Sequence, residues 1–335
     1  MDKITFCKKN DFKNLIKFLK NNWPNKNTSF NKNFFFNWMY FNKRLNKYNF
    51  LIIKKNNKIK ACLGIIFNKN RFKQILWFNL WLVDKKNREN INGFDLINYL
   101  INNYKRSIIV TSGINENTTF VYNSLRFNVK NLNHYYIINP TFEKYKLIKF
   151  NKSEKVLKLN YKKNDCEITV NKKINFLIKN QFLIKYQKIF FKSINYFIKR
   201  YQNHPTYNYV FYVIKKNKKI FGFFVGRECS YSKRKALRLV DYFGSTKVIG
   251  NIKFNFYNLL KVKKYEYIDF YNFGISKKIL KKGGFKINKF SNNIIVPNYY
   301  EPFVKKNIKI KCVWWPKTSK LPIFKGDGDQ DRPRF

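Results

Sequence analysis

Leu80–Leu100 reads LWLVDKKNRENINGFDLINYL. It begins inside an apolar run, Ile75–Val83 (ILWFNLWLV), passes through a polar stretch from Asp84 to Asn92, and returns to apolar residues from Phe94. The run is short and rich in aromatic and branched residues, so it predicts a buried strand; Phe94–Tyr104 carries the spacing of an amphipathic helix. Upstream, Phe50–Ile53 and Ile59–Phe67 flank Asn56 and Asn57, which predicts a strand hairpin. Asp11–Asn22 and Phe34–Tyr40 read as helices before it. Downstream come a strand at Ser107–Thr111, a helix at Thr118–Leu125 and a strand at Tyr135–Ile138. Alternation of this kind predicts a mixed α/β fold.

The same pattern recurs. Ile52–Ala61 (IIKKNNKIKA) matches Val213–Gly222 (VIKKNKKIFG) at an offset of 161 residues, and the same offset carries Ser112–Asn115 (SGIN) onto Phe273–Ser276 (FGIS). Two separated matches in one register predict a duplicated unit, which fixes the architecture before any local motif is read. The second copy predicts a helix over Ile189–Arg200, a hairpin over Phe211–Val225, and strands at Ala236–Phe243, Tyr267–Phe270 and Ile294–Pro297. Helices are expected over Ile252–Leu260 and near Lys278. With 335 residues, two domains of ordinary size are expected, 1–142 and 143–335.

Hydrophobic residues make up 44% and aromatics 19%, enough to build cores. The formal charge of +52 admits a nucleic-acid or anionic-membrane binder. However, the lysines are spread along nearly the whole chain, and Lys, Asn, Ile, Phe and Tyr, all with A/T-rich codons, dominate together. That is the pattern of compositional bias, and no specific nucleic-acid partner is expected. Five dispersed cysteines, never spaced as CxxC, argue against a disulfide framework or a zinc ribbon. The N-terminal MDKITFCKKNDF lacks a signal-like apolar region, and no uncharged apolar run approaches ~18 residues, so a cytoplasmic protein without a transmembrane segment is expected. With only His134 and His204, no metal site is expected.

The strand–loop–helix of Leu80–Leu100 resembles the GNAT acyltransferase superfamily, in which an R/Q-x-x-G-x-G/A loop binds the pyrophosphate of acyl-CoA through its amides at a helix N-terminus. Arg88 matches the first position and Gly93 the last, while Ile91 stands in place of the middle glycine. Thr111–Ile137 (TSGINENTTFVYNSLRFNVKNLNHYYI) resembles the family's closing segment, with Tyr122, Leu125 and Phe127 in place and Arg126 replacing a glycine. The resemblance implies two tandem GNAT-like domains, each a twisted, mostly antiparallel sheet flanked by helices. It implies acetyl-CoA or another acyl-CoA as co-substrate, held by Val83, Arg88, Glu89, Asn90, Ile91, Asn92, Gly93 and Asn115. Tyr122 would be the general acid that protonates the departing thiolate. The alternative at each position is structural: Gly93 permits a turn, and Tyr122, one of 23 tyrosines, packs a helix face.

The second copy lacks both motifs, which suggests an acceptor-binding role. In so basic a chain its acids stand out: Asp241 and Asp269 at strand ends, and a tail, GDGDQDRPRF, with Asp327, Asp329 and Asp331. Carboxylates facing a cleft can bind a cationic amine and take its proton. Asp241, Asp269, Asp327, Asp329, Arg332 and His204 are the candidate acceptor-site residues; strand-end hydrogen bonding is the plainer role for the two single aspartates. The tail resembles the start of a calcium loop but has Arg332 at the glycine position, so it is expected instead to fold back along a cleft. The resulting expectation is an N-acyltransferase acting on a small-molecule amine, such as an amino sugar of a surface-polysaccharide precursor on a nucleotide or lipid carrier. Two alternatives remain: a Fem-like aminoacyl transferase using aminoacyl-tRNA, and a degenerate, non-catalytic GNAT-like binding protein.

Overall fold

A computed structural model describes residues 3–23, 29–85, 93–150, 166–291, 293–328 and 330–333. Two compact units partition the chain. The first comprises Met1–Val129, Val313–Ser319 and Gly328–Phe335; the second comprises Lys130–Cys312 and Lys320–Asp327. Both are mixed α/β with mostly antiparallel sheets flanked by helices. Among the described residues no helix is long and apolar enough to cross a membrane.

The first unit holds β1 (Ile4–Lys8), α1 (Phe12–Asn22), α2 (Asn33–Tyr40), β2 (Lys47–Lys55), β3 (Lys58–Lys69), β4 (Gln74–Val83), α3 (Phe94–Asn103), β5 (Ile108–Ser112) and α4 (Thr119–Ser124). The strands lie in the order β1-β2-β3-β4-β5. Every neighbouring pair is antiparallel except β4 with β5. The β2–β3 turn places Asn56 and Asn57 at φ 49° and 58°. Asparagine tolerates that left-handed geometry, which is why Asn-Asn between apolar runs announces a tight hairpin. Alternation then sorts the side chains. Leu51, Leu63, Ile65, Leu76 and Phe78 face Leu96, Ile97 and Leu100 of α3, whereas Phe50, Ile52, Cys62 and Leu80 face α1 and α2.

The second unit holds β6 (Asn128–Ile138, from Lys130 on), β7 (Cys166–Asn171), α5 (Gln181–Ile184), α6 (Gln187–Phe190), α7 (Ile194–Phe197), β8 (Val210–Lys216), β9 (Lys219–Tyr231), β10 (Arg234–Gly244), α8 (Lys253–Lys263), β11 (Tyr265–Phe273) and α9 (Lys277–Lys282). Its sheet runs β7-β8-β9-β10-β11-β6, and again one pair alone, β10 with β11, is parallel. The tight turn recurs at Asn217 and Lys218, with φ 48° and 62°.

Three features depart from the sequence reading. Tyr135–Ile138, expected to end the first domain, lies in the second unit, where Tyr267 to Asn272 of β11 pair with Ile138 to Asn133. The C-terminal stretch, expected wholly in the second domain, contributes Val313–Ser319 and Gly328–Phe335 to the first unit; Val313 joins its core. The helix expected over Ile189–Arg200 is broken, because Phe191 adopts a left-handed φ of 52° and turns Lys192 inward. The helical path resumes only at Ile194 and ends in a π turn, Ile198–Gln202.

Candidate functional site

In the first unit, β4 and β5 pair only as Ile75–Ile108, Leu76–Ile109 and Trp77–Val110, although β4 continues to Val83. Beyond Trp77 the two strands form a wedge. The divergence coincides with a bulge: the β3–β4 register slips between Cys62 and Gly64, and Leu80 stands at φ 47°. A bulge re-aims a strand and ends pairing on one side. Parallel strands that part leave main-chain N–H and C=O groups facing the opening, where an extended ligand can pair with them.

At the far end of β4, Gly93 begins α3 with φ −61°, so no left-handed conformation calls for glycine here. Proximity does. A Cβ on Gly93 would lie 2.7 Å from Val83 Cγ2 and 3.2 Å from Trp81 Nε1. The Trp81 indole donates to the Gly93 carbonyl at 3.1 Å, tying helix to strand. Trp81 in turn packs on Tyr122, with ring centroids 6.2 Å apart, and Tyr122 also meets Phe78 and Phe127. Thus Val83, Gly93 and Tyr122 are brought together through Trp81, a residue the sequence reading did not single out. Arg88, Glu89, Asn90, Ile91 and Asn92 lie outside the described residues. Asn115 is exposed and leads into the short turn Glu116–Thr118, its carbonyl accepting from Thr118 Oγ1.

Tyr122 is only 3% exposed, and burial pushes its hydroxyl well above the ordinary phenol range. It is therefore protonated at physiological pH and can donate a hydrogen bond. Full transfer to a thiolate, whose acid has a pKa of about 8.5, runs uphill by about 1.4 kcal/mol per unit of mismatch unless a bound ligand alters the environment.

The second unit has a comparable wedge, and the chain itself fills it. β10 and β11 pair from Lys235 to Leu239, where the β9–β10 register slips beside Val225 and Gly226. The tail then enters. After β12 (Lys286–Ile287) and β13 (Ile310–Trp315), the last strand, β14 (Ile323–Phe324), pairs with Asn272 and Phe273 of β11; Gly326 N donates to Val240 O at 2.7 Å. Asp327 anchors this insertion, accepting from Phe324 N and meeting Lys192 Nζ at 2.6 Å. Asp241 accepts from the same ammonium at 2.8 and 2.9 Å and from Tyr201 Oη at 2.7 Å. Lys192, Asp241 and Asp327 are all buried. Burial, opposed by Lys192 and aided by Asp327, raises the Asp241 carboxyl to about 7. Two carboxylates share one lysine, and Asp241 holds its proton readily.

Asp269 lies in a separate buried cluster. Arg238 Nη2 and Nε donate to its carboxylate at 3.2 to 3.3 Å, and His134 Nε2 lies 3.2 Å away. Burial alone would raise this carboxyl, but Arg238 and the His134 hydrogen bond together outweigh it and hold the carboxyl below the usual range. Burial pushes His134 the other way, toward the neutral ring, so its contact with Asp269 is a hydrogen bond and not an ion pair. His134 Nδ1 then accepts from Asn288 Nδ2 at 3.2 Å. His204 caps a turn, its Nδ1 accepting from the Thr206 and Tyr207 amides. Of the remaining tail residues, Arg332 is half-buried within the first unit, and Asp329 lies outside the described residues.

No family profile matches the chain, and no characterised protein matches its sequence. Solved structures do match its fold. A GCN5-related N-acetyltransferase from Anabaena variabilis superposes with a TM-score of 0.56 at 11% identity, covering 94% of this chain and 72% of the other. A probable N-acyltransferase from Enterococcus faecalis gives 0.56 at 7% identity, over 93% and 72% of the two chains. The fold is therefore that of GNAT-type N-acetyltransferases.

Proposed function

We propose that the chain is an acyl-CoA-dependent N-acyltransferase whose cofactor occupies the wedge of the first unit. The observation that carries this is the contrast between the wedges: the second is sealed by Ile323–Asp327, while β4 and β5 part beside the contact chain Val83–Gly93–Trp81–Tyr122. The pantetheine arm of acyl-CoA is extended and carries two amides, so it suits diverging strand edges much as the tail peptide suits those of the second unit. The loop from Arg88 to Asn92 and the start of α3 would hold the pyrophosphate. Exposed Asp95 in the first turn of α3 opposes an anion there and limits its affinity.

The reaction is acyl transfer by direct attack. A neutral amine forms a C–N bond with the thioester carbonyl carbon, the C–S bond breaks, and the thiolate leaves. The amine's surplus proton passes to solvent, while the thiolate is stabilised by a hydrogen bond from Tyr122 or takes its proton. The acceptor in this reading is a small amine, in particular an amino sugar. The parallel strand orders and the recurring turn support descent of both units from one ancestor, with the chemistry retained in the first. Thermal melting with acetyl-CoA tests the reading: a ligand-dependent rise in Tm, reduced in Arg88→Ala, is expected. Absence of a rise with any acyl-CoA would sink it.

A further inference from the structure

The two units share a hydrogen bond at the bulge. In the first, Tyr40 Oη donates to Asn79 Oδ1 at 2.9 Å; in the second, Tyr201 Oη donates to Asp241 Oδ2 at 2.7 Å. The tyrosines are 161 residues apart, and the strand partners of the two Asx residues, Gly64 and Val225, are separated by the same 161. What surrounds the Asx differs. Asp241 is saturated by Lys192 and the Tyr242 amide. In the first unit the tyrosine fixes the amide orientation of Asn79, so its Nδ2 points away from Tyr40, and it has no acceptor among the described residues. Two positions earlier on the same strand face, the Trp77 indole Nε1 is likewise without an acceptor. Trp77 is 2% exposed and Asn79 is 8% exposed.

Two adjacent buried donors without an acceptor among the described residues stand out, since an unmet donor costs about 1–3 kcal/mol. Trp77 is the last β4 residue paired with β5 and Asn79 lies just beyond it, at the mouth of the wedge. Their cover is the tail: Gly328, at φ 61°, packs against the Trp77 ring, and Gln330 Nε2 donates to Ser112 O at the end of β5.

We infer that Trp77 Nε1 and Asn79 Nδ2 form a donor pair that receives a hydroxyl or carbonyl oxygen of the acceptor substrate, with Gly328 and Gln330 beside it. The inference rests on the acyltransferase reading and names the acceptor's chemical class. Both donors are neutral, and no cation-π contact of a lysine or arginine with Trp77 is found among the described residues. A buried phosphate or carboxylate would need a counter-charge there; a neutral oxygen needs only the two N–H groups. A hydroxylated amine, such as an amino sugar, therefore fits better than a simple alkylamine.

The test uses the full chain with its six tryptophan indoles labelled with nitrogen-15. Glucosamine is titrated against cyclohexylamine, a ring-sized amine without hydroxyls. Glucosamine should move the Trp77 indole N–H resonance downfield, while cyclohexylamine leaves it in place. Trp77→Phe, which keeps a ring and breaks no existing hydrogen bond, should weaken glucosamine binding at least tenfold. Asn79→Asp, which keeps the oxygen that accepts from Tyr40, should do the same. An unmoved resonance at saturating glucosamine, equal shifts with both amines, or variants that bind like wild type would each overturn the donor pair. Should Trp77→Phe fail to fold, backbone-based assignment of the wild-type resonance and Asn79→Asp still decide. Acetyl-CoA stabilisation, measured separately, tells failure of the acyltransferase reading from failure of the donor pair.

Discussion

Replacing Gly93 by alanine tests how closely α3 must approach β4. The backbone at Gly93 has φ −61°, which alanine adopts freely, so any effect comes from the added methyl group alone. That methyl would sit 2.7 Å from Val83 Cγ2, where ordinary carbon contacts need about 3.5–4.0 Å, so the start of α3 must retreat by about 1 Å. The Trp81–Gly93 hydrogen bond, already 3.1 Å long, stretches with it. Overpacking of this kind costs about 1–3 kcal/mol, and the weakened bond adds about 1 kcal/mol. A Tm lower by several degrees is expected. The larger effect should be functional: a 1 Å displacement of a positioning element lowers kcat/KM by about 10²-fold. Because Val83 is the obstacle, Gly93→Ala combined with Val83→Ala should recover much of both losses, giving a strongly non-additive double-mutant cycle. Acetyl-CoA binding by calorimetry, together with melting curves for the four proteins, completes the assay. A Gly93→Ala protein with wild-type Tm and affinity, or a double mutant showing simple additivity, would refute the contact as the reason for glycine.

Asp269→Asn should destabilise the fold by about 3–5 kcal/mol in denaturant titrations, because Arg238 would remain buried without its counter-charge. Asp241, raised from 3.8 to about 7 in the folded chain, makes the native state bind a proton that the unfolded chain releases. Its stabilising contribution is thus full below about pH 4 and disappears as pH rises through 7, at no more than about 1.4 kcal/mol per pH unit. Asp241→Asn should flatten that segment of the Tm-against-pH curve; an unchanged slope would exclude this carboxyl as the titrating group. Tyr122→Phe keeps the ring among Phe78, Trp81 and Phe127, so its Tm should stay within about 1–2 °C of wild type while kcat falls by about 10²-fold or more. A Tyr122→Phe enzyme with normal kcat would leave the residue a packing role only.

Much of the fold was legible because local pattern and burial agree. The run ILWFNLWLV gives β4, and the Asn56–Asn57 pair marks a turn that only a few residues tolerate. What escaped the sequence is non-local. Nothing in Lys130–Ile138 says that its partners are Tyr267–Asn272, since a strand's own alternation does not name the strand beside it. The tail was singled out for its aspartates and expected at a cleft. Asp327 instead holds a main-chain insertion into the second wedge, a role that depends on Lys192, more than a hundred residues earlier. At the candidate site, the motif marks Gly93, but the reason for it, the approach to Val83 and Trp81, is a tertiary contact that no local pattern encodes. The sequence does carry one signal for the donor pair: Asn79 is the single amide inside the apolar run Ile75–Val83, and a polar residue there must be either paired or used.

The central claim is that a single wedge, that of the first unit, takes acyl-CoA. Titration calorimetry with acetyl-CoA measures this directly. The account predicts one equivalent bound per chain, lost in Gly93→Val and retained in the folded fraction of Asp269→Asn. Two equivalents, no binding, or binding indifferent to Gly93→Val would contradict it.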